Sequence, residues 1–151
     1  MHACIRSLPK AELMFWRGRK ERPIYNPPPN LHYAEGNTEV DLTISTKRAI
    51  IFIEAKYHSE ISTRTTHCSG RDQIIRNIDV GTYYAWDNGL TFYFILLTSS
   101  DCTKSIKRLR YYQNTPQNIV NRLPHRTDIP NKLNQIIENL GLITWNQLKK
   151  I

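Results

Sequence analysis

The sequence feature that most constrains the fold is a run of five apolar residues, 49–53, that leads directly into a carboxylate, Glu54. Such a short apolar run predicts a buried strand. A charged side chain at the end of a buried strand is energetically costly unless a cation or hydrogen bonds compensate it. A divalent metal ion held between two carboxylates is one arrangement that would supply this compensation.

A partner strand is predicted at residues 38–44, and it carries a second carboxylate, Asp41. Only polar residues around Lys47 separate the two strands, which favours an antiparallel hairpin. A two- or four-residue loop centred on Lys47-Arg48 sets Asp41 directly opposite Glu54, with Cβ atoms roughly 4.5–5.5 Å apart. A three-residue loop makes the pair diagonal instead. Two carboxylates this close repel each other unless a cation lies between them.

A lysine, Lys56, follows Glu54 by two residues and therefore projects from the same face of the strand. Asp41 followed by Glu54-Ala55-Lys56 resembles the motif of the PD-(D/E)XK nuclease superfamily, in which an Asp precedes a Glu-X-Lys on the next strand. Val40 stands where the family name has a proline. The resemblance implies an α/β fold with a restriction-endonuclease-like core, in which helices flank a mixed central β-sheet.

The resemblance also implies roles for these residues. Asp41 and Glu54 would bind Mg²⁺, with Mn²⁺ as an alternative, and the Ala55 carbonyl would be a further ligand. Lys56 would orient or activate the attacking water. Oxygen ligands suit Mg²⁺, and a bound metal acts as a Lewis acid and supplies a nucleophile. The family's additional acidic residue has candidates that the sequence does not separate: Glu12, Glu35 and Glu39.

The same residues have a simpler interpretation, a salt bridge between Lys56 and either Asp41 or Glu54 on an ordinary hairpin. The position of Glu54 behind an apolar run favours the nuclease interpretation, because an ordinary ion pair gains little from burial. If the two carboxylates repel each other, replacing either one should abolish catalysis and leave the fold intact.

A helix is predicted from residue 70 to about residue 86, because apolar residues recur there at a helical period. Gln73 and Arg76 are neighbours on its surface. A Gln and a basic residue at this place also resemble the nuclease family, in which Gln73 would hold a metal-bound water or a phosphate oxygen. Arg76 would pair with the scissile phosphate. The alternatives are helix packing for Gln73, and an ion pair with Asp72 or Asp79 for Arg76.

Residues 90–98 are almost continuously apolar, which predicts a strand covered on both faces and reached by a right-handed crossover. The next helix is predicted to begin at Ser100 or Asp101 and to run through Tyr112. Its basic residues would form a stripe for DNA phosphates, with a solvated face as the alternative. The residues at this spacing are Lys104, Lys107, Arg108 and Tyr111.

The last third of the chain, residues 100–151, is predicted to add helices to a nuclease-like core over about residues 8–98. Together they would make a single domain over residues 1–151. The predicted landmarks are helix starts at Pro116 and Pro130, a helix stop at Gly141, and side chains that dock on the core, Trp145 and Leu148.

The charge balance favours a polyanionic partner. The chain has 21 Lys plus Arg against 13 Asp plus Glu, a net charge of +8, and a pI near 9.6. Its cysteines have no paired spacing, which indicates a reducing compartment, and a zinc site from His58, His67 and Cys68 lacks a fourth ligand. No apolar run approaches the length of a membrane span, so we expect a cytoplasmic protein with no membrane partner.

Together these features predict a Mg²⁺-dependent DNA endonuclease that hydrolyses phosphodiester bonds with metal-activated water. The alternative is a non-catalytic nucleic-acid-binding module with the same fold. The sequence leaves open whether the substrate is duplex, single-stranded or branched, and whether DNA or RNA is cut. It also leaves open whether two protomers pair as a homodimer.

Overall fold

The computed structural model describes residues 40–64 and 70–150. Three candidate acids, Glu12, Glu35 and Glu39, lie outside these ranges. So do His67 and Cys68 of the zinc alternative. The elements follow in the order β1 (Leu42–Ser45), β2 (Ala49–Lys56), α1 (Gln73–Asp87), β3 (Thr91–Thr98), α2 (Thr103–Asn114), α3 (Gln117–Arg122), α4 (Ile129–Glu138), β4 (Leu140–Thr144) and α5 (Trp145–Leu148).

The first two strands form the predicted hairpin. β1 pairs antiparallel with β2, and Leu42 lies opposite Ile53. The Thr46 backbone N–H donates to the Ala49 carbonyl at 2.8 Å, so only the two residues between them form the loop. The register is therefore the predicted one. The strand is shorter than predicted, because β1 begins at Leu42 and Asp41 lies just before it.

The four strands form one sheet in the order β1-β2-β3-β4. β2, β3 and β4 run parallel, so their last residues, Lys56, Thr98 and Thr144, lie in register at one end of the sheet. We call this end the carboxyl edge. Parallel neighbours need long connections; α1 lies between β2 and β3, and α2 to α4 lie between β3 and β4. The architecture is thus the predicted α/β class, with a mixed sheet and flanking helices.

One face of the sheet carries the core. Phe52, Phe94 and Leu96 are buried there in one cluster with residues of the helices. α1 approaches this face so closely that a Cβ on Gly81 would lie 2.0 Å from the Phe92 ring. Only glycine fits at this point of the helix, which explains a residue of low helix propensity in its middle.

The opposite face of β3 is only partly covered. Tyr93 is 38% exposed, and Ile95 and Leu97 are half-buried. The prediction that residues 90–98 are covered on both faces is therefore wrong. Burial alternates along the strand because only its even-numbered residues enter the core cluster with the helices.

Two helix starts differ from the predictions. α1 is capped by Asp72, whose carboxylate accepts a hydrogen bond from the Ile75 backbone N–H at 3.0 Å. α2 starts after Cys102, which makes no capping hydrogen bond with its side chain. Neither Ser100 nor Asp101 is its N-cap. The start of α2 is bound instead by the carboxylate of Glu60. Glu60 is distant from α2 in the chain, so local spacing could not indicate this contact.

Residues 140–144 form a strand where the sequence predicted a helix stop at Gly141. Leu140 pairs with Phe94, and Leu142 pairs with Leu96. Five residues are too few to show a clear period in the sequence. They become a strand because β3 offers an unpaired side to which they can bond.

The C-terminal helix α5 is only partly packed. Trp145 is half-buried, but Leu148 is 43% exposed, so the docking prediction is correct for the tryptophan alone. The start of α3 after Pro116 and the position of Pro130 in the first turn of α4 are as predicted. None of the described helices is both long enough and apolar enough to cross a membrane.

Candidate active site

The motif residues meet at the carboxyl edge. Glu54 and Lys56 lie near the end of β2. The start of α1 lies beside them, since its first residue, Gln73, donates to Glu54. In open parallel sheets, ligands bind outside this edge, where loops and helix starts converge. The sheet therefore places these side chains where an α/β protein commonly binds its substrate.

Glu54 is buried and is held by donors from its own chain. It is 2% exposed. Its Oε1 accepts from Lys56 Nζ at 2.7 Å and from Gln73 Nε2 at 2.9 Å, while Oε2 accepts from Asn77 Nδ2 at 3.1 Å. The salt bridge that the sequence offered as the simpler interpretation is thus present. These contacts compensate the buried charge, so burial alone does not require a metal ion.

Asp41 lies beside this cluster, immediately before β1. Its Oδ2 accepts from the Ala55 backbone N–H at 2.8 Å, and its side chain is exposed. Leu42 pairs with Ile53. Extending the hairpin by one residue pair therefore places Asp41 opposite Glu54. The backbone positions of Asp41 and Glu54 are therefore adjacent across the hairpin.

Gln73 connects the start of α1 to the site. Its Nε2 donates to Glu54, and its Oε1 accepts from the Ser62 backbone N–H at 2.8 Å. This second bond fixes the amide orientation, since the oxygen must face a donor. Gln73 therefore ties the loop after β2 to the carboxylate, which is more than a helix-packing role.

Asn77 is a site residue that the sequence analysis missed. It is fully buried, and its Nδ2 donates to Glu54. The available signal was its spacing, because Asn77 is one turn after Gln73 on the same helix face. Its Oδ1 is buried without a hydrogen-bond partner among the described residues, so an unused oxygen acceptor lies beside the carboxylate.

The predicted phosphate-binding residues divide into two groups. Lys104 and Lys107 are exposed on α2, whereas Arg108 forms an ion pair with the buried carboxylate of Asp72 at 3.3 Å. Arg76 is half-buried on α1. Part of the Arg108 charge is therefore already engaged in the fold, and the two lysines are the solvent-facing cations of the predicted stripe.

Asp72 links the start of α1 to α2. Its Oδ2 accepts from the Tyr112 hydroxyl at 2.6 Å, in addition to the Arg108 contact. Burial of the phenol, followed by the neighbouring Asp72 charge, raises the pKa of Tyr112 far above its ordinary value. The hydroxyl therefore remains a proton donor to Asp72 at every physiological pH, and α1 stays joined to α2 next to the site.

Within residues 40–64 and 70–150, no group of three or more His, Cys, Asp and Glu side chains could hold a metal ion. Cys102, a free cysteine, is buried near the start of α2. The oxygen atoms that the site could offer to a metal ion are those of two carboxylates, the Asn77 amide and backbone carbonyls.

Comparisons with known proteins give no match: no family model matches the sequence, and neither a curated protein nor a solved structure matches the chain. Any functional conclusion must therefore come from the geometry of the site.

Proposed function

We propose that this protein is a metal-dependent nuclease that hydrolyses phosphodiester bonds in DNA, with Mg²⁺ as its cofactor. The observation that carries the proposal is the contact of Lys56 and Gln73 with one buried carboxylate, Glu54, beside the second carboxylate, Asp41. Phosphodiester hydrolysis needs oxygen ligands for a hard cation and a cationic donor for the developing phosphate charge. Both are available at the carboxyl edge.

The donor set fits a divalent cation of this kind. Mg²⁺ commonly takes one or two carboxylates and keeps several waters. Glu54 Oε2 accepts one hydrogen bond from Asn77 and retains a second acceptor position, and the buried Asn77 Oδ1 offers another oxygen nearby. Asp41, Glu54 and the Ala55 carbonyl would hold the ion. When bound, it would supply Lewis acidity and a water of lowered pKa.

The protein's own residues would do the remaining work. An ammonium group has three N–H donors, and Lys56 directs one of them at Glu54. Its other donors can stabilise the negative charge that develops on a phosphate oxygen. Gln73, held by Ser62, keeps the Glu54 carboxylate in place. Lys104 and Lys107 on α2 would bind flanking phosphates, and Arg76 would approach the scissile one.

A non-catalytic nucleic-acid-binding module is the second candidate function. The observation that favours it is the 2.7 Å ion pair between Lys56 and Glu54, which neutralises the carboxylate without a metal ion. In such a module the same residues would only stabilise the fold, and the positive charge of the chain would bind phosphates.

The deciding experiment incubates the full-length protein with duplex, single-stranded and branched DNA, and with RNA, in Mg²⁺, Mn²⁺ or EDTA. We expect metal-dependent cleavage that EDTA abolishes. Asp41→Asn, Glu54→Gln and Lys56→Ala should each lower the cleavage rate at least about 100-fold, because each removes a ligand or a charge donor. Rates are measured on denaturing gels, alongside Mn²⁺ binding by calorimetry.

Asp87→Asn is the matched control, since it removes an exposed carboxylate at the far end of α1. This variant should cleave like the unmodified protein. Cleavage that persists in Glu54→Gln, or that resists EDTA, contradicts the proposal. Nucleic-acid binding without cleavage of any substrate would favour the non-catalytic module.

A further inference from the structure

Three aromatic side chains lie together at the carboxyl edge, immediately after the catalytic motif. The Tyr57 ring lies 4.1 Å from the His58 ring and 6.0 Å from the Trp145 ring, measured between centroids. Tyr57 is 54% exposed, and His58 is exposed as well. We call these three residues the aromatic edge. Contiguous exposed apolar surface, unlike a single exposed ring, is a common mark of a binding site.

Contacts with the backbone hold the aromatic edge in place. Trp145 Nε1 donates to the carbonyl oxygen of Lys56 at 3.1 Å. The backbone at Trp145 is in turn fixed by a capping box, in which Thr144 and Gln147 exchange hydrogen bonds. The indole is therefore anchored to the residue that carries the proposed catalytic ammonium group. A rigid ring binds a partner with little loss of conformational entropy.

Tyr57 is not in a parallel stack with either of its neighbours. Its ring is inclined by 65° to His58 and by 80° to Trp145, so both contacts are edge-to-face in type. More than half of the tyrosine remains exposed. This exposed surface is where a flat aromatic ligand would contact Tyr57.

The charge near the aromatic edge suits an anionic ligand. Lys149 and Lys150 are exposed directly after α5, and Lys56 precedes Tyr57. Asp101 lies close enough to His58 to interact with it, and Lys149 and Lys150 outnumber this one carboxylate. A ligand that combines a flat ring with negative charge matches this surface, and a nucleotide has both properties.

We propose that the aromatic edge stacks an unpaired nucleobase of the nucleic acid that is cleaved at Glu54 and Lys56. This inference rests on the proposed function and narrows its substrate. Base faces are hidden inside a duplex, so only a single-stranded stretch, a frayed end or a flap can stack on Tyr57.

The test measures binding of the full-length protein to labelled oligonucleotides in EDTA, so that no cleavage occurs. Fluorescence anisotropy compares a single-stranded DNA, an RNA of the same sequence, a blunt duplex, and a single strand of the same length with abasic sites. Tyr57→Ala should weaken binding to the normal single strands about 5-fold to 100-fold. Binding to the duplex and to the abasic strand should change less than about twofold. The bases of the duplex are paired, and the abasic strand lacks a base at each abasic site.

Two further variants make the test specific. Tyr57→Phe keeps the ring and should bind like the unmodified protein. Tyr93→Ala removes another exposed tyrosine, one that lies near the start of β3 and roughly 20 Å from the carboxyl edge, and it should have no effect. Circular dichroism confirms that each variant is folded.

Loss of Tyr57-dependent binding to the normal single strands alone supports the inference. An equal loss for the abasic strand, an equal loss in Tyr93→Ala, or no measurable single-strand binding by the unmodified protein overturns it. Metal-dependent cleavage is measured separately. If cleavage occurs but Tyr57→Ala binds normally, only the aromatic edge is refuted; if stacking is found without cleavage, only the nuclease proposal fails.

Discussion

Glu54 shows how a single buried carboxylate can be stabilised without a metal ion. Lys56 neutralises its charge, and Gln73 and Asn77 donate to it from α1. From the sequence, we expected the removal of either motif carboxylate to leave the fold intact, because two carboxylates so close together repel each other. The contacts reverse this expectation for Glu54, since its removal leaves buried donors without an acceptor.

We therefore expect Glu54→Ala to lower the free energy of unfolding by about 3–5 kcal/mol, the usual effect of breaking a buried ion pair. Asp41→Ala is the comparison: the Asp41 side chain is exposed and loses one hydrogen bond to Ala55, which costs about 1 kcal/mol. Urea denaturation followed by circular dichroism measures both. Equal stabilities of the two variants would show that Glu54 is not held as described.

Because of this difference, Glu54→Gln is a cleaner probe of catalysis than Glu54→Ala. It keeps an acceptor oxygen for the donors around it and removes the charge.

The start of α2 is stabilised by a carboxylate from another part of the chain. Glu60 accepts from the Lys104 and Ser105 backbone N–H groups, at 3.2 Å and 2.6 Å, and also from the Ser105 hydroxyl. Ser105 Oγ accepts in turn from the Ile61 backbone N–H at 2.8 Å. A negative charge at a helix N-terminus also interacts favourably with the helix dipole. The segment after β2 is thereby fastened to the helix that carries Lys104 and Lys107.

Replacing Glu60 with Gln should destabilise the start of α2 by about 0.3–1 kcal/mol, because it removes the negative charge that interacts favourably with the helix N-terminus. Hydrogen exchange of the Lys104 and Ser105 amides should accelerate, as measured by NMR. Glu138→Gln, an exposed carboxylate at the end of α4, is the control and should leave these rates unchanged. Unaltered exchange in Glu60→Gln would disprove the capping role.

The Glu60 contact also predicts a pH dependence. The Ser105 hydroxyl, together with the backbone N–H groups of Ser105 and Lys104, outweighs the opposing effect of burial and keeps the pKa of Glu60 below its ordinary value of 4.5. A carboxyl with a lowered pKa stabilises the folded state above its unfolded pKa. This stabilisation should therefore be present above about pH 4.5 and be lost as the pH falls through the lower folded pKa.

A buried cluster around Asp79 joins the first half of the described molecule to its helical C-terminal part. Asp79 Oδ2 accepts from Arg71 Nη1 at 3.1 Å and from His125 Nε2 at 3.0 Å, and Oδ1 accepts from Arg126 Nη1 at 3.0 Å. Arg126 also forms an ion pair with Asp128, with 2.7 Å between Nη2 and Oδ2. Asp79 lies on α1, while His125 and Arg126 lie between α3 and α4, so the ion cluster fixes these helices to the same core.

Asp79→Ala should destabilise the whole molecule by about 3–5 kcal/mol, because two buried arginines lose their shared counter-ion. Asp87→Ala is the control on the same helix, where an exposed carboxylate should change stability by less than about 0.5 kcal/mol. Urea denaturation measures the free energy of unfolding of both variants. A small effect of Asp79→Ala would mean that the C-terminal helices do not depend on this cluster.

The pKa of Asp79 adds a second readout for the cluster. Burial raises this pKa, but the His125 hydrogen bond, the His125 charge and then Arg126 outweigh burial and hold it below the ordinary value of 3.8. The stabilisation is therefore present above about pH 3.8 and is lost as the pH falls through the folded pKa. Asp79→Asn should remove this part of the acid sensitivity of the urea midpoint.

The sequence by itself determined the hairpin, the long helix after it and the next strand, since these depend on local patterns: an apolar run, a short polar loop and a helical period. It also indicated that Asp41, Glu54, Lys56 and Gln73 belong together. It did not reveal β4 or the trans-capping by Glu60, and it did not place Asn77 or Trp145 at the site. These arise from contacts between residues far apart in the chain, which no local period encodes.

The charge on Glu54 shows the same difference between what local sequence determines and what the tertiary structure decides. Its position at the end of an apolar run showed that the charge needs compensation, because burial of an unpaired carboxylate is unfavourable. Only the tertiary structure decided how the compensation is made: Lys56 is two residues away in the chain, but Gln73 and Asn77 reach the carboxylate because α1 packs across β2. Local sequence sets which groups are available, whereas packing of distant segments sets which of them meet.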